Sequence, residues 1–206
     1  MTRLYHILTV FFALTVSTAL SQTCTNTRLS NTFDFKVSIK RIKLVNYPDS
    51  CRITVLVKDK KTKQTIQTIY ITSNYLLGES SFVNCNNVRS YTTGINLNAE
   101  VLDNDFGDLI VADFNFDNKE DFAVKREEGG NGGPLYNYYI QNSPNTFKLD
   151  RFLSETMIFF PKEINKSNRT LTTLVHASAV SICETIYKFD SSRNKWNEIG
   201  LRIIQD

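Results

Sequence analysis

The run of oxygen-bearing side chains between residues 113 and 121 constrains the fold of this chain more than any other feature. The oxygens recur at relative positions 1, 3, 5 and 9, and a backbone carbonyl is available at position 7; these positions hold Asp113, Asn115, Asp117, Asp121 and Lys119, respectively. Calcium takes about six to eight oxygen ligands, and alternate residues of a tight loop can direct their oxygens to one centre. The spacing therefore predicts a Ca²⁺ site formed by these side chains and the carbonyl of Lys119.

The segments on either side of this loop are unlike those of an EF-hand. An EF-hand loop joins two helices, has Gly at about position 6 and ends with Glu at about position 12. In this chain position 6 is Asn118, which tolerates left-handed dihedral angles better than most residues, and position 12 is Val124. Residues 107–112 and 122–125 are short and apolar, as strands are. We therefore predict a calcium site between two strands, with a polar turn that binds no metal as the alternative.

Alternation of apolar and polar residues recurs along the chain and predicts a mainly β protein. Residues 33–44 show it most clearly, because Phe33, Phe35, Val37 and Ile39 would share one face of a strand. No segment of useful length has the helical period. Further strands are predicted at residues 51–58, 65–72, 96–103, 135–141, 171–180, 182–189 and 196–204.

These strands predict antiparallel sheets, packed as a sandwich or in a propeller-like arrangement. Residues 22–95 would form an N-terminal β region, and residues 96–206 a C-terminal calcium-binding β region. The chain is long enough for one domain or two small ones, so the two regions can also pack as one unit.

The first 21 residues have the pattern of a secretory signal peptide. Arg3 precedes an apolar run at residues 7–16, and small residues follow up to Ser21. The apolar run is too short to span a membrane, and no later segment is apolar enough. We expect cleavage near Ser21 and an exported protein, periplasmic or secreted. The net charge of +3, lowered to about +2 by loss of Arg3, does not favour nucleic acid as a partner.

All four cysteines follow the predicted signal peptide: Cys24, Cys51, Cys85 and Cys183. An even number in an exported chain favours two disulfides, for which three connectivities exist. Spacing alone cannot choose among them. We favour Cys51–Cys85, which would staple the N-terminal half, and Cys24–Cys183, which would join the termini. Four buried thiols are the alternative.

A glycine-rich segment follows the second strand of the calcium hairpin and comprises Gly129, Gly130, Asn131, Gly132 and Gly133. Glycine supplies dihedral angles closed to other residues, so this segment is predicted to be a turn; a phosphate loop would need a following helix and a Lys-Ser/Thr pair. A strand of about six residues would separate it from the calcium loop by roughly 20 Å. Tyr136 beyond it offers rigid amphipathic contact area. We assign the segment and Tyr136 to a candidate partner surface, with a packed core as the alternative for the tyrosine.

No catalytic set can be assembled from the sequence. The single histidine after the signal peptide, His176, lies in an apolar run and is better explained as a core or edge residue than as a ligand or base. Carboxylates that could form a hydrolase pair are better explained as a solvated turn: Asp103, Asp105, Asp108, Glu127 and Glu128. We expect a protein that binds and does not catalyse.

Residues 111–122, the glycine segment, Tyr136 and Tyr138 together resemble the calcium-binding periplasmic proteins of the type IV secretion immunity family. The similarity covers roughly residues 107–196, and residues 24–95 show none. Asn118 stands where the family more often has Gly. The calcium loop alone also resembles the loops of integrin-like FG-GAP repeats, a less specific match.

The resemblance implies a β-rich fold stabilised by Ca²⁺ and a protein partner. Members of the family inhibit lysozyme-like peptidoglycan hydrolases, so the expected partner is a cell-wall hydrolase and the expected role is immunity. A calcium-stabilised surface adhesin or glycan-binding module is the alternative function. The sequence leaves the oligomeric state open.

Overall fold

The computed structural model describes residues 21–42, 50–73, 75–76, 81–143 and 146–205. The predicted signal peptide therefore lies outside the described residues, except for Ser21 at the start of the first strand. In the described part of the chain, no helix is long and apolar enough to cross a membrane.

The described residues form strands in three sheets, which confirms the mainly β fold predicted from the sequence. One π-helical turn, Phe152–Met157, lies between the ninth and tenth strands. In chain order the strands are β1 (Ser21–Asn26), β2 (Phe33–Ile42), β3 (Ser50–Asp59), β4 (Thr65–Ser73), β5 (Val88–Ser90), β6 (Leu109–Ala112), β7 (Asp121–Glu127), β8 (Leu135–Ser143), β9 (Thr146–Leu149), β10 (Glu163–Asn165), β11 (Thr170–Ser178), β12 (Ser181–Asp190) and β13 (Lys195–Gln205).

The first sheet is antiparallel, with the strand order β1-β2-β3-β4. Its alternating residues divide between core and solvent as the sequence predicts, because the apolar residues of β2 are buried while Lys36 and Lys40 are exposed. The buried face of β2, β3 and β4 consists of Phe33, Phe35, Val37, Ile39, Ile53, Val55, Val57, Ile69 and Ile71.

The second sheet is the middle layer, with the order β5-β6-β7-β8-β9, in which β5 is parallel to β6 and the other pairs are antiparallel. All four residues of β6 are buried. Leu109 and Val111 face the core shared with the first sheet, whereas Ile110 and Ala112 face the core shared with the third. This strand is apolar at every position because both of its faces are covered.

The third sheet is antiparallel, with the order β10-β11-β12-β13. The half nearest the turn at residues 191–194 carries the buried apolar side chains that pack on the middle layer, namely Leu171, Tyr187, Phe189 and Trp196. Beyond this half, β11 and β13 run out into solvent. The third sheet therefore has an anchored end and a projecting end.

The prediction of a strand at residues 96–103 is wrong, because these residues form turns. The buried Arg89 explains how the turns are held: its guanidinium donates to the carbonyls of Leu97, Ala99 and Phe106 at 2.7–3.1 Å. A side chain thus satisfies backbone groups that a strand would satisfy by pairing. Sequence analysis also missed the short strands β1, β5 and β10 and the π-helical turn.

The predicted cysteine pairing is wrong. The disulfide joins Cys24 of β1 to Cys85 in the loop before β5, with a Cα–Cα distance of 5.1 Å. Cys51 is buried in β3 of the first sheet, and Cys183 is a partly exposed thiol in β12 of the third sheet. The middle layer separates these two cysteines, so one disulfide forms instead of two.

The Cys24–Cys85 disulfide should contribute strongly to stability because it closes a loop with a sequence separation of 61. The chain-entropy relation gives about 4 kcal/mol for a loop of this length. We expect Cys24→Ser to lower the free energy of unfolding by about 2–5 kcal/mol in chemical denaturation. Mass spectrometry should find the oxidised protein two hydrogens lighter than the reduced form. A loss of four hydrogens would contradict the single bridge.

Candidate functional site

The predicted calcium loop closes the hairpin between β6 and β7. These strands are antiparallel, and Ala112 lies opposite Asp121 at the base of the loop. The strand–loop–strand arrangement expected from the apolar flanks is therefore confirmed. Asn118 has a φ of 65°, so it takes the left-handed conformation expected at the turn position.

Phe116 also has a left-handed backbone, with a φ of 60°. This conformation costs a residue with a side chain roughly 1–2 kcal/mol. The ring is buried and packs against Trp196 of β13, with centroids 6.2 Å apart. Burial of a large apolar side chain contributes about 1.5–3 kcal/mol, which offsets the strain. The middle of the loop is therefore anchored on the third sheet.

Asp113 begins the loop and binds its backbone. Its Oδ1 accepts a hydrogen bond from the N–H of Asp117 at 2.9 Å, and its Oδ2 accepts one from the N–H of Asn118 at 3.0 Å. The Oδ1 of Asn115 accepts a second bond from the N–H of Asp117 at 3.2 Å. The first two predicted ligands therefore shape the loop through local side-chain to backbone bonds.

Asp121 ends the loop and is fully buried. Its Oδ2 accepts hydrogen bonds from the N–H of Phe114 at 2.8 Å and of Asn115 at 3.4 Å. Its Oδ1 accepts a hydrogen bond from the N–H of Gln141 in β8 at 2.9 Å. One carboxyl group therefore ties the start of the loop to a neighbouring strand of the middle layer.

Carboxyl groups are concentrated in this loop. Burial raises the pKa of Asp121 to about 8, and the charges of Asp117 and Asp113 act in the same direction, whereas the backbone hydrogen bonds to its carboxyl group lower it. Lys119 lies 3.1 Å from Asp117, and Lys166 lies 3.7 Å from Asp113. Both lysines are exposed, so these pairs offset little of the charge. A bound cation would favour the ionised form of every carboxyl group in the loop.

The donor chemistry of the loop fits Ca²⁺, because carboxylate, amide and carbonyl oxygens are the ligands that this ion prefers. Among the described residues, no three His, Cys, Asp or Glu side chains are close enough together to hold a metal ion. Binding would therefore have to draw Asp113, Asp117 and Asp121 together, with Asn115 and the carbonyl of Lys119 as the other predicted ligands. Calcium binding stays a prediction.

Glu120 holds the loop against the first layer, a role that the sequence analysis missed. Its Oε2 accepts hydrogen bonds from the Oγ of Ser30 at 2.6 Å and the N–H of Thr32 at 3.1 Å, and its Oε1 accepts one from the N–H of Asn31 at 2.7 Å. One feature of the sequence could have indicated this role. The predicted metal ligands occupy odd positions counted from Asp113, whereas Glu120 occupies position 8 and is therefore directed away from the predicted metal centre.

The base of the glycine segment is closely packed. The segment joins β7 to β8 at the end of β7 opposite the calcium loop, as predicted. A Cβ added at Gly129 would lie 1.9 Å from the carbonyl oxygen of Gly133. A Cβ added at Gly132 would lie 2.8 Å from the side chains of Phe159 and Val175. A side chain at either position would clash with its surroundings, so the base of the turn is closely packed.

The tip of the glycine segment is open. Gly130 and Asn131 are exposed, and no atom lies within 4 Å of a Cβ added at Gly130. Gly130 also lies outside the left-handed region, so it can be replaced without backbone strain. Of the predicted partner surface, the structure therefore presents the tip to solvent.

The assignment of Tyr136 to the partner surface is wrong. Tyr136 is 0% exposed, and its hydroxyl donates to the carbonyl of Gly107 at 3.1 Å. Its ring packs edge-on against Phe160, with centroids 5.6 Å apart. The alternative of a packed core applies, because the third sheet and the π-helical turn cover this face of β8.

Two of the acids considered as a hydrolase pair, Asp105 and Asp108, are partners of a buried lysine. Lys125 in β7 is 2% exposed, and its ammonium lies 2.7 Å from Asp105 and 2.9 Å from Asp108. The other carboxyl oxygen of Asp108 accepts a hydrogen bond from the N–H of Phe82 at 2.6 Å. Buried charges need such partners because desolvation costs several kcal/mol per ion. The pKa of Lys125 is raised by the two carboxylates despite its burial.

Two cavities border the predicted site loops. A cavity of about 290 Å³ adjoins the glycine segment and is lined by Leu102, Asp103, Asp105, Lys125, Glu128 and Gly130. A cavity of about 620 Å³ adjoins the calcium loop, and its lining includes Asn115, Asp117, Lys119, Lys148, Arg151 and Phe189. His176 lies in neither cavity and is exposed on β11.

The fold is similar to that of a solved protein. No family model matches the chain, and no curated protein matches it. A structure described as that of a Xanthomonas type IV secretion system related protein aligns with a TM-score of 0.51 and 15% sequence identity, over 90% of this chain and 88% of that chain. At this identity the likeness shows the fold alone.

Replacing Asp121 tests its role in holding the loop. Asp121→Ala would leave buried N–H groups of Phe114 and Gln141 without an acceptor, at about 1–3 kcal/mol each. We expect a loss of about 3–5 kcal/mol in the free energy of unfolding without calcium. Asp117→Ala is the matched control, because it removes an exposed carboxylate and should cost less than about 1 kcal/mol. Denaturation in EGTA measures both, and equal losses would contradict this role.

Proposed function

We propose that this protein is an exported calcium-binding protein that acts by binding another protein. The proposed partner is a peptidoglycan-degrading, lysozyme-like enzyme, which the protein inhibits in an immunity-type role. The observation that carries this proposal is the glycine segment, which has an exposed tip on a closely packed base. A preorganised loop loses little conformational entropy on binding, which suits it to occupy an enzyme cleft.

The surface next to the tip of the glycine segment also supports a protein contact. Leu102 is 65% exposed beside the cavity of about 290 Å³. Asp103 and Glu128 add carboxylates to the rim of the same cavity. This combination fits a partner that presents an apolar side chain and a basic side chain next to the cleft that receives the tip.

Export is supported by two observations. The Cys24–Cys85 disulfide fits an oxidising compartment such as the periplasm or the exterior of the cell. The structural neighbour is described as type IV secretion system related, which is consistent with a secretion-associated role for this chain. Both observations agree with the signal peptide predicted over residues 1–21.

Calcium would act on the partner surface from a distance. The calcium loop precedes β7 and the glycine segment follows it, so a strand of seven residues separates them. In the proposed mechanism Ca²⁺ holds Asp113, Asp117 and Asp121, and the side chain of Asp121 stays attached to β8. The ion stabilises the sheet that carries the glycine segment and does not itself contact the partner.

A calcium-stabilised glycan-binding module or adhesin is the second candidate. The cavity of about 620 Å³ beside the calcium loop favours it, because amide and charged side chains there accompany the ring of Phe189. Polar groups that fix orientation next to an apolar surface are typical of small-ligand sites. In that case binding would map to Asn115 and Arg151 and not to the glycine segment.

Calcium should raise the melting temperature. A loop that lacks a Glu at position 12 should bind on the order of 10⁻⁴ M, as extracellular modules do. At about 100-fold excess over the dissociation constant, a ligand specific for the folded state stabilises by about 2.7 kcal/mol. We expect Asp117→Ala to abolish most of this effect. Identical melting in millimolar Ca²⁺ and in EGTA would remove calcium from the proposal.

Gly130→Trp tests the glycine tip. No atom lies within 4 Å of a Cβ added at Gly130, so the melting temperature should change little, but the ring should block entry into a cleft. We expect at least a tenfold loss of inhibition in a titration against a panel of peptidoglycan hydrolases. Tyr70→Trp, at a 71% exposed position on β4, is the matched control and should inhibit normally. Full inhibition by Gly130→Trp would exclude the tip, and retention of the wild type on a polysaccharide array without any inhibition would favour the second candidate.

A further inference from the structure

The projecting end of the third sheet exposes apolar side chains on both of its faces. Leu201 and Ile203 lie opposite Thr185 and Cys183, on the same face as the buried Tyr187. Ile204 lies opposite Ile182 on the other face. The exposed fractions are large: 66% for Val180, 56% for Ile199, 60% for Leu201, 65% for Ile203 and 36% for Ile204. Contiguous exposed apolar surface of this kind marks an interaction site.

This end of the sheet also has an open edge. Among the described strands, β13 pairs only with β12. A bulge interrupts the pairing at Ile199, since Glu198 lies opposite Tyr187 and Gly200 lies opposite Ile186. Beyond the bulge, residues 200–205 form a regular edge that ends the sheet.

The regular edge carries few of the features by which proteins block unwanted strand pairing. Prolines, inward charges and charged edge residues normally serve this purpose. Residues 200–205 contain no proline and one charged residue, Arg202. The guanidinium of Arg202 lies 2.5 Å from the carboxylate of Glu184 on the neighbouring strand and its side chain is 70% exposed, so this edge carries one charged group.

We propose that residues 201–205 of β13 pair antiparallel with the same residues of a second copy of this chain, about a two-fold axis at Ile203. In this register Ile203 lies opposite Ile203 of the second copy, Arg202 opposite Ile204, and Leu201 opposite Gln205. No like charges oppose each other, and residues directly opposite share a face. The two third sheets become one continuous sheet.

Other registers are less favourable. An axis at Arg202 would place two guanidinium groups directly opposite each other, which is destabilising. An axis at Leu201 would extend the pairing through the bulge at Ile199 in both copies, where the strand bends away. An axis at Ile204 would pair only residues 203–205 of β13. Ile203 is the centre that keeps the pairing on the regular stretch without placing like charges opposite each other.

The size of the interface determines how strongly the two copies are expected to associate. A standard interface buries about 800 Å² and involves about 20–30 residues on each side. Pairing over residues 201–205 covers a strand length of about 17 Å. The interface therefore falls below standard size, and the dimer should be reversible and depend on concentration.

A cysteine introduced at position 203, on the proposed two-fold axis, tests the strand pairing directly. Opposite residues of an antiparallel pair have Cα atoms about 4.5–5.5 Å apart, within reach of a disulfide. We expect Ile203→Cys, in a Cys183→Ser background, to form a covalent dimer when oxidised glutathione accepts the two electrons and two protons of the thiols. Val180→Cys in the same background is the control, because it is equally exposed but more than about 20 Å from its mate.

The non-covalent dimer is measured by sedimentation equilibrium on the purified protein. We expect the wild-type mass to rise towards twice the monomer mass with concentration, and Ile203→Lys to weaken association at least tenfold. Tyr70→Lys, at an exposed position on β4, should associate like the wild type. Ile203 is exposed, so circular dichroism should show both variants folded. A wild type that stays monomeric, or a Val180→Cys variant that cross-links as readily as Ile203→Cys, would overturn the proposal.

Discussion

Both faces of the middle sheet are buried, so the two buried ionisable residues of β7 have to find polar partners within the protein. Asp121 at the start of the strand accepts hydrogen bonds from backbone N–H groups, and Lys125 nearer its end is paired with Asp105 and Asp108. A buried charge left without partners costs several kcal/mol. The loops that supply the partners therefore cannot move away from β7. The calcium loop is held at one end of the strand, and the turn before β6, which borders the glycine segment, is held at the other.

The residues between these charges make β7 a rigid connection. Phe122, Ala123 and Val124 are buried, and they alternate between the two cores. An ion that favours the ionised form of Asp121 would stabilise the strand from which the glycine segment leaves. Glu120 extends the same effect to the first layer, because its carboxylate fixes the turn that precedes β2. In the proposed mechanism calcium is therefore a structural ion for all three layers and need not touch a partner.

Features set by neighbouring residues in the chain were predictable, and features set by the packing of layers were not. The alternation in β2 and the spacing from Asp113 to Asp121 are local, so the first sheet and the hairpin loop could be predicted. The position of Tyr136 could not, because β8 is covered on both faces: Tyr136 and Tyr138 face one core and Tyr139 the other. Cysteine spacing likewise carries no information about layers, and Cys51 and Cys183 lie in different ones. Glu120 binds residues almost ninety positions away, a contact for which the sequence holds no period or motif.

The third sheet forms a second connection between the two ends of the molecule. Near the turn at residues 191–194, Phe189 lines the cavity beside the calcium loop. At the projecting end, Gly132 approaches Val175, and the side-chain amide of Asn104 donates to the carbonyls of both Gly132 and Leu174. These contacts involve the base of the glycine segment and leave its tip free. Pairing of β13 with a second copy would therefore order the strands that support this base without covering the tip. Such a dimer would carry two glycine segments, each still connected through its own β7 to its own calcium loop.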